Sequence, residues 1–335
     1  MEVFPPETAM ETAMKHLSTI TLAATLVLPG AALAQTAWDM PTPYAEGNFH
    51  EKNIATFIEE VNGAAGEAVQ ITQHPNQSLI KHPDIKNSVR DGIVPIGELL
   101  VSRLENENPI YGADSVPFLA TSYDEAKKLY DAQKPMMEEA LAKDGLKLLF
   151  SVPWPPQGLY TKQAVDSVAE LGGKSFRAYN TSTEAIANEA GMVPTQIEAS
   201  DVPTAFSTGR VEAMMTSPST GVDTKAWDFL SNYYVLNAWL PRNMVIVNQA
   251  AFDALPPEAQ TAITEAAAAA ETRGWEASVA ETESATKTLS ENGITVEEPS
   301  EQMKADFQKI GETLTESWKQ SAGEPGAALI EAYRN

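Results

Sequence analysis

The alternation of strand and helix patterns near the start of the chain restricts its fold more than any other feature. Residues 36–40, 68–73 and 93–100 have the short apolar or alternating patterns of β-strands. Between them, residues 50–64 carry apolar side chains at helical spacing, and residues 80–92 also have a helical pattern. This β-α-β-α-β order is typical of a mostly parallel sheet covered by helices, so we predict an α/β fold.

The middle of the chain predicts a second α/β unit and two connections to it. Residues 146–152 form a nearly continuous apolar run, which indicates a buried strand leaving the first unit. The strand-like stretch 233–248 returns to it, and a long helix starts at Pro256 and extends as far as Ser290. Two crossings make a hinge, and a hinge between two lobes leaves a cleft for a small ligand.

The remaining periodic segments complete the two units. Pro135 either starts a second helix or marks a kink, because proline disrupts a helix interior. The patterns predict helices over residues 122–133, 135–143, 183–191, 201–209 and 303–322, a turn and strand over 172–179, and a strand over 211–216.

The N-terminal residues have the pattern of a secretory signal. Lys15 precedes the uncharged, mostly apolar run 17–28, and Ala32-Leu33-Ala34 provides a small-x-small cleavage site before Gln35. We expect translation to start at Met14, cleavage after Ala34 and export of the mature protein. The alternative is an uncleaved anchor, but the apolar run is shorter than the ~20 residues that a membrane-spanning helix needs.

Charge and composition exclude several classes of function. The 335 residues include 46 Asp+Glu against 23 Lys+Arg, a formal charge of −23 that becomes −21 without residues 1–34. This excess repels phosphate backbones and anionic lipids, so we expect no nucleic-acid partner. Since the chain has no cysteine, disulfides, iron–sulfur clusters and cysteine nucleophiles are excluded. We interpret the excess Asp and Glu residues as solvent-exposed side chains spread over the surfaces of helices and loops.

The sequence has no motif for catalysis or for a cofactor. His50, His74 and His82 do not have the spacing of metal ligands, and the nucleophile elbow and phosphate-binding glycine loops are missing. We therefore expect no metal, no cofactor and no enzyme. The alternative from another class is a hydrolase that uses carboxylates in the cleft.

One arginine stands within an apolar strand pattern. Arg177 lies between Phe176 and Tyr179, and its guanidinium fork suits bidentate recognition of a carboxylate. The alternative is a salt bridge to an acid in the neighbourhood of its own strand.

Several segments resemble the extracytoplasmic solute-binding subunits of TRAP transporters, which are ATP-independent importers. They are residues 151–162, 172–180 and 201–214, together with the long helix after Pro256, and the resemblance covers residues 36–331. It implies a two-lobe periplasmic-binding-protein-like fold with a hinge of crossing strands and a long helix spanning both lobes. It also implies a periplasmic location, closure over one small organic ligand, and small and large membrane permease subunits as partners. We expect a monomer.

On this fold we predict a first lobe from residues 35–152 and 244–290 and a second lobe from residues 153–243 and 291–335. The resemblance assigns Arg177 as the ligand-binding arginine of the family. The other frequent arginine of the family is absent, since residues 157–160 contain none. Where relatives often supply an amide, Thr216 and Ser217 would offer hydroxyls.

Further candidates follow from position. Glu98 interrupts an apolar strand near the cleft, where it would hold an ammonium or hydroxyl group, or else it faces outward. Trp154 and Trp239 lie on the two crossings and would form aromatic walls or pack the hinge. Polar residues at the carboxyl ends of strands either meet the ligand or face solvent; these are Tyr44, Asn48, Tyr179 and Asn180.

These candidates predict the class of ligand. With Arg177 as the arginine proposed for the cleft, we expect a monocarboxylate that is hydroxylated or amino-bearing. The alternative is a small amine or amino alcohol held by Glu98 and a tryptophan, with Arg177 contacting a hydroxyl or water, or pairing with Glu98.

Overall fold

A computed structural model describes residues 36–334. The expected signal segment and its cleavage site lie outside the described residues. Eleven strands form in these residues: β1 (Thr36–Pro41), β2 (Val69–His74), β3 (Ile96–Leu100), β4 (Leu146–Pro153), β5 (Gly158–Thr161), β6 (Ser175–Ala178), β7 (Val193–Gln196), β8 (Ala213–Thr216), β9 (Asn232–Tyr234), β10 (Arg242–Asn248) and β11 (Thr295–Glu297).

The described residues also form nine α-helices, joined in places by short 3₁₀ turns. They are α1 (Phe49–Ala65), α2 (Ile85–Arg90), α3 (Tyr123–Lys143), α4 (Thr181–Glu189), α5 (Val202–Ser207), α6 (Pro218–Asp223), α7 (Gln249–Asp253), α8 (Pro257–Glu291) and α9 (Glu301–Arg334).

The first lobe is built on strands β1 to β4 and β10. Strands β1 and β2 are parallel, with Trp38 opposite Ile71, and β1 lies against β3. Strand β10 lies between β3 and β4 and is antiparallel to both. The apolar face of α1, which includes Phe57 and Val61, packs in the core with Phe150 of β4. The α/β character of this lobe is as predicted, but its sheet is not mostly parallel, because β10 returns from the second lobe and is antiparallel to both of its neighbours.

The second lobe is built on one mixed sheet of six strands in the order β11-β9-β5-β8-β6-β7. Strand β6 is parallel to β7 and β8, whereas β5 is antiparallel to β8 and β9. Strand β9 arrives late in the chain, and the return segment then leads to β10 of the first lobe. The residue boundaries that we predict for the lobes remain a prediction.

Two extended segments cross between the lobes and are hydrogen-bonded to each other. One joins β4 to β5 and the other joins β9 to β10. The Trp154 N–H donates to the Pro241 carbonyl at 2.8 Å, and the Gln157 N–H donates to the Trp239 carbonyl at 2.9 Å. The predicted hinge of two crossings is therefore confirmed.

Helix α8 spans both lobes, as predicted. It packs against α1 and β4 in the first lobe and against α6 and β11 in the second. Gly274 allows the close approach, because a Cβ there would overlap a Val152 methyl and would lie 2.8 Å from the Asn53 amide nitrogen. Towards its end, Leu289 is buried in the core of the second lobe.

Some boundaries differ from the sequence patterns. Pro135 lies inside one continuous helix, α3, and does not start a second one. Helix α9 continues to Arg334 across a kink at Gly323, where φ is +57°, a conformation that glycine adopts at little cost. Strand β5 follows two prolines and was not predicted.

None of the helices in residues 36–334 combines the length and the apolar character that a membrane-spanning helix requires.

Candidate ligand-binding site

A cleft with about 410 Å³ of non-atom space, which includes open solvent, lies between the two lobes. Both lobes and both crossing segments contribute to its wall. The lining residues are Tyr44, His82, Leu100, Arg103, Trp154, Gln157, Arg177, Tyr179, Glu198, Ala199, Thr216, Thr220 and Pro241.

Arg177 offers two hydrogen-bond donors to this cleft. It lies on β6, between β7 and β8, and is only 3% exposed. Its Nε–H donates to the Ile197 carbonyl at 3.0 Å, and its guanidinium carbon lies 4.7 Å from the centre of the Tyr179 ring. Burial lowers the pKa of Arg177 to about 10, so the group keeps its charge at neutral pH. Since neither terminal amino group has a partner within residues 36–334, the fork is available to a carboxylate.

Glu198 pairs across the cleft with two residues of the first lobe. Its Oε1 lies 3.0 Å from Nη2 of Arg103, and its Oε2 lies 3.3 Å from Nη1 of Arg103 and 3.5 Å from Nδ1 of His82. Because His82 Nε2 accepts from the Leu100 N–H at 3.1 Å, Nδ1 carries the proton in the neutral ring. Burial alone would raise the pKa of Glu198, but the His82 hydrogen bond and the Arg103 charge lower it to about 2. Glu198 is therefore ionised and already paired.

The side chains of Tyr179 and Gln157 are hydrogen-bonded to each other in the wall of the cleft. The Tyr179 hydroxyl donates to Gln157 Oε1 at 3.1 Å and accepts from Trp239 Nε1 at 3.3 Å. The Gln157 amide nitrogen donates to the Pro155 carbonyl at 2.9 Å. These bonds fix the wall beside Arg177 and leave its aromatic and aliphatic surfaces for the ligand.

Tyr44 and Trp154 form the apolar wall contributed by the first lobe and the hinge. Their rings meet edge to face, with centroids 4.9 Å apart at 76°. The Trp154 indole N–H donates to Asn243 Oδ1 at 2.9 Å, so it is not available to a ligand. Thr216 lines the cleft from β8, and no partner for its hydroxyl is found among the described residues.

The structure brings five of the ten predicted site residues to the cleft: Arg177, Trp154, Tyr44, Tyr179 and Thr216. The other five lie around it. Trp239 is fully buried behind Tyr179, and Ser217 caps helix α6 by accepting from the Thr220 N–H. Their roles in binding remain predictions.

Two predicted asparagines are helix N-caps that also connect the lobes. Asn48 caps α1, and its amide nitrogen donates to Asp223 of the second lobe at 2.7 Å. Asn180 caps α4, and its amide nitrogen donates to the Ser102 hydroxyl of the first lobe at 2.8 Å. Both side chains are buried. They hold the lobes together beside the cleft and do not line it.

Glu98 is buried behind the cleft wall and does not face outward or pair with Arg177. It is 2% exposed, and its Oε1 accepts from Asn243 Nδ2 at 2.9 Å and lies 3.7 Å from His50 Nδ1. Burial, and then the charge of Glu51, raises the pKa of Glu98 well above its ordinary value. Since Glu98 is not among the residues that line the cleft, its carboxyl group does not meet a ligand amine there.

Sequence reasoning missed five polar residues of the cleft: Arg103, His82, Gln157, Glu198 and Thr220. Arg103 carried a usable signal, because it follows the end of strand β3, where ligands bind in open α/β sheets. Glu198 carried none, since acids are frequent in this sequence. Within residues 36–334 no group of three or more His, Asp or Glu side chains is arranged to hold a metal ion.

The family model named DctP, bacterial extracellular solute-binding protein family 7, matches residues 42–321. The chain belongs to the TRAP solute-binding proteins. Among curated proteins, a solute-binding protein of Albidiferax ferrireducens is 23% identical over 220 residues, and this TRAP protein spans 64% of the length of that relative. An uncharacterized protein of Haemophilus influenzae is 20% identical over 310 residues, which are 91% of this chain and 94% of that one.

Solved structures include much closer relatives. DctP7 of Bordetella pertussis, an extracytoplasmic solute receptor binding pyroglutamic acid, is 44% identical, with a TM-score of 0.88 over 90% of this chain and 100% of that one. A marine metagenome TRAP protein specific for pyroglutamate, in complex with the co-purified ligand, is 39% identical, with a TM-score of 0.87 over 90% and 99%. A Roseobacter denitrificans protein with bound β-D-glucuronate is 19% identical, with a TM-score of 0.82 over 89% and 99%, and shows the fold alone.

These matches define the general class of the TRAP protein. Its family consists of extracellular solute-binding proteins that serve transporters, and not of enzymes. The ligands bound by the structural relatives are small organic acids.

Proposed function

We propose that this TRAP solute-binding protein captures pyroglutamate, or a cyclic monocarboxylate of similar size, by closing its two lobes around the ligand. The observation that carries the proposal is Arg177, a buried residue that lines the cleft and whose two terminal amino groups have no partner among the described residues. Three relatives of 39–44% identity that bind pyroglutamate support the same ligand.

The charges in the cleft favour one carboxylate. Arg103 and Arg177 contribute two positive charges, and Glu198 neutralises the first of them. Burial lowers the pKa of His82, so this residue adds no charge at neutral pH. Among the described residues that line the cleft, one positive charge therefore remains without a partner, and it is that of Arg177. A second carboxylate would have no cation to pair with and would be expensive to bury.

The shape and polarity of the wall favour a compact ring. Tyr44 and Trp154 form an aromatic surface, and Leu100 and Pro241 add apolar surface beside it. A five-membered ring that carries one carboxylate fits a cleft in which these apolar surfaces lie beside a guanidinium whose terminal amino groups have no partner among residues 36–334.

The alternatives find less support in the same cleft. An amine ligand would need a free carboxylate, but Glu198 is held by Arg103 and His82, and Glu98 lies behind the wall. A hydrolase would need a second acid or a base beside the reacting bond. Glu198 is the sole acid among the described residues that line the cleft, and it is fixed in ion pairs.

Within this proposal, the protein is exported with cleavage after Ala34, acts in the periplasm as a monomer, and delivers its ligand to small and large membrane permease subunits. The family is extracellular, which supports export. The intact mass of protein recovered from the periplasm tests the cleavage site. Uptake of labelled pyroglutamate by cells with and without the gene tests delivery.

A thermal-shift screen tests ligand binding. We expect pyroglutamate to raise the melting temperature in a concentration-dependent way, because a ligand that binds only the folded state stabilises it by mass action. Ethanolamine should produce no rise, and glucuronate, a larger acid with a polyhydroxylated ring, should produce a smaller one. A rise with ethanolamine and none with pyroglutamate would reverse the assignment.

A further inference from the structure

The orientation of the Asn243 amide is fixed by its neighbours. The Trp154 indole nitrogen can only donate, so the atom 2.9 Å from it must be the amide oxygen, Oδ1. The amide nitrogen then points to Glu98 and donates to Oε1 at 2.9 Å. Both protonation states of Glu98 can accept this bond. Asn243 is 1% exposed, so solvent does not compete for either end.

This fixed amide determines how the Tyr44 hydroxyl is used. The Tyr44 oxygen lies 3.4 Å from Asn243 Oδ1, which is the one acceptor found for it among residues 36–334. Burial raises the pKa of Tyr44 well above its ordinary value of 10.0, so the phenol keeps its proton. A phenol has a single proton, and once this is donated to Asn243 the oxygen has only lone pairs to offer.

We infer that Tyr44 is a specificity-determining residue that presents a hydrogen-bond acceptor to the ligand, with Asn243 and Glu98 fixing this polarity from behind. The cleft therefore selects carboxylates that also carry an N–H or O–H donor, such as the ring N–H of a lactam acid. The inference rests on the proposed function and adds a second recognition element to Arg177.

Other groups in the cleft are poorer acceptors for such a donor. The Glu198 carboxylate already receives bonds from Arg103 and His82, and Gln157 Oε1 accepts from Tyr179. The hydroxyls of Thr216 and Thr220 can rotate, so each can donate as well as accept. Among the hydroxyls that line the cleft, Tyr44 is the one whose polarity its neighbours determine while its oxygen still has room to accept a bond. A site of fixed polarity discriminates strongly against a ligand that lacks the matching group.

A pair of matched ligands tests the inference. Pyroglutamate and 3-oxocyclopentane-1-carboxylate have the same ring size, carboxylate and carbonyl, but the second has CH₂ where the first has N–H. Their dissociation constants would be measured by titration calorimetry for the wild-type protein and for Tyr44→Phe. Tyr333→Phe is the control, because its hydroxyl contacts the Leu119 carbonyl away from the cleft.

For the wild type and Tyr333→Phe, we expect pyroglutamate to bind at least about tenfold more tightly than the ketone. For Tyr44→Phe, this ratio should fall to about threefold or less, through loss of pyroglutamate affinity. An unchanged ratio in Tyr44→Phe overturns the inference and leaves the proposed function standing. Failure of the wild type to bind either ligand overturns both.

Discussion

Arg103 of the first lobe and Glu198 of the second form a two-pronged ion pair across the cleft, with nitrogen–oxygen distances of 3.0 and 3.3 Å. The pair joins residues that are far apart in sequence, since Arg103 follows strand β3 of the first lobe and Glu198 follows strand β7 of the second. It can form only when the lobes are close, so it contributes to the closed state and not to the open one. Ligand binding and this pair therefore favour the same conformation.

Loss of the Glu198 charge should weaken ligand binding without removing a ligand contact. We expect Glu198→Gln to raise the dissociation constant of pyroglutamate about three- to tenfold, because partly buried charge-assisted bonds contribute on the order of 1 kcal/mol. Titration calorimetry measures this change, and the exposed substitution Glu189→Gln is the matched control. Equal affinities for wild type and Glu198→Gln would contradict the role in closure.

The same pair predicts how acid affects binding. The pKa of Glu198 is depressed to about 2, so its contribution is complete above the ordinary glutamate range and is lost as the pH falls towards 2. We therefore expect the ratio of wild-type to Glu198→Gln affinity to stay constant from pH 5 to 8. A ratio that declines steadily across this interval would show that Glu198 is not held by Arg103 and His82.

Replacement of Arg177 should remove most of the affinity. We expect Arg177→Ala to weaken pyroglutamate binding by about 100-fold, and Arg177→Lys by at least about tenfold, because lysine keeps the charge but not the fork. The exposed Arg210→Ala is the control for loss of one positive charge. If Arg177→Ala binds within threefold of the wild type, the guanidinium does not hold the carboxylate.

Ionisation of the buried Glu98 carboxyl group should lower the free energy of unfolding as the pH rises. Its pKa is raised in the folded protein, so the folded state holds a proton that the unfolded state releases above the ordinary value of 4.5. Relative to Glu98→Gln, the wild type should lose up to ~1.4 kcal/mol of unfolding free energy per pH unit above that value. Urea denaturation at pH 5, 6 and 7 measures the difference.

A second readout separates this effect from ligand binding. Glutamine keeps an oxygen for the Asn243 amide, so Glu98→Gln should bind pyroglutamate within about threefold of the wild type. A stability difference that is constant with pH would contradict the buried, protonated carboxyl. A large loss of affinity would instead return Glu98 to the ligand site.

Two glycines in helices should respond oppositely to alanine. A Cβ at Gly274 would overlap Val152 and Asn53, so we expect Gly274→Ala to destabilise the protein by about 1–3 kcal/mol. Gly63 is exposed within α1 and has open space around it, so Gly63→Ala should stabilise by about 0.5–1 kcal/mol. Thermal denaturation of both variants checks the pair. Similar effects would contradict the close packing of α8 on the first lobe.

The sequence predicted the fold well because periodicity and proline placement act locally. The crossings were recognisable from the apolar run 146–152 and the strand-like return 233–248, and Arg177 from its place in an apolar strand. The roles of Asn48 and Asn180 as N-caps were also accessible, since asparagine is favoured immediately before a helix.

The cleft itself depends on contacts that no local pattern contains. Glu198 and Arg103 are 95 positions apart and meet only because the two sheets face one another. The burial of Glu98 depends on β10 and α1, which cover its strand, and a lone acid in an apolar run does not show which side will be covered. Charge pairing across the cleft, which decides that one guanidinium remains free, is therefore a property of the tertiary structure.

A crystal structure of the protein with pyroglutamate would show which arginine holds the ligand carboxylate. We expect both carboxylate oxygens within hydrogen-bond distance of the two terminal nitrogens of Arg177, with Arg103 still paired to Glu198. A carboxylate bound to Arg103, with Arg177 left without a ligand contact, would contradict this expectation.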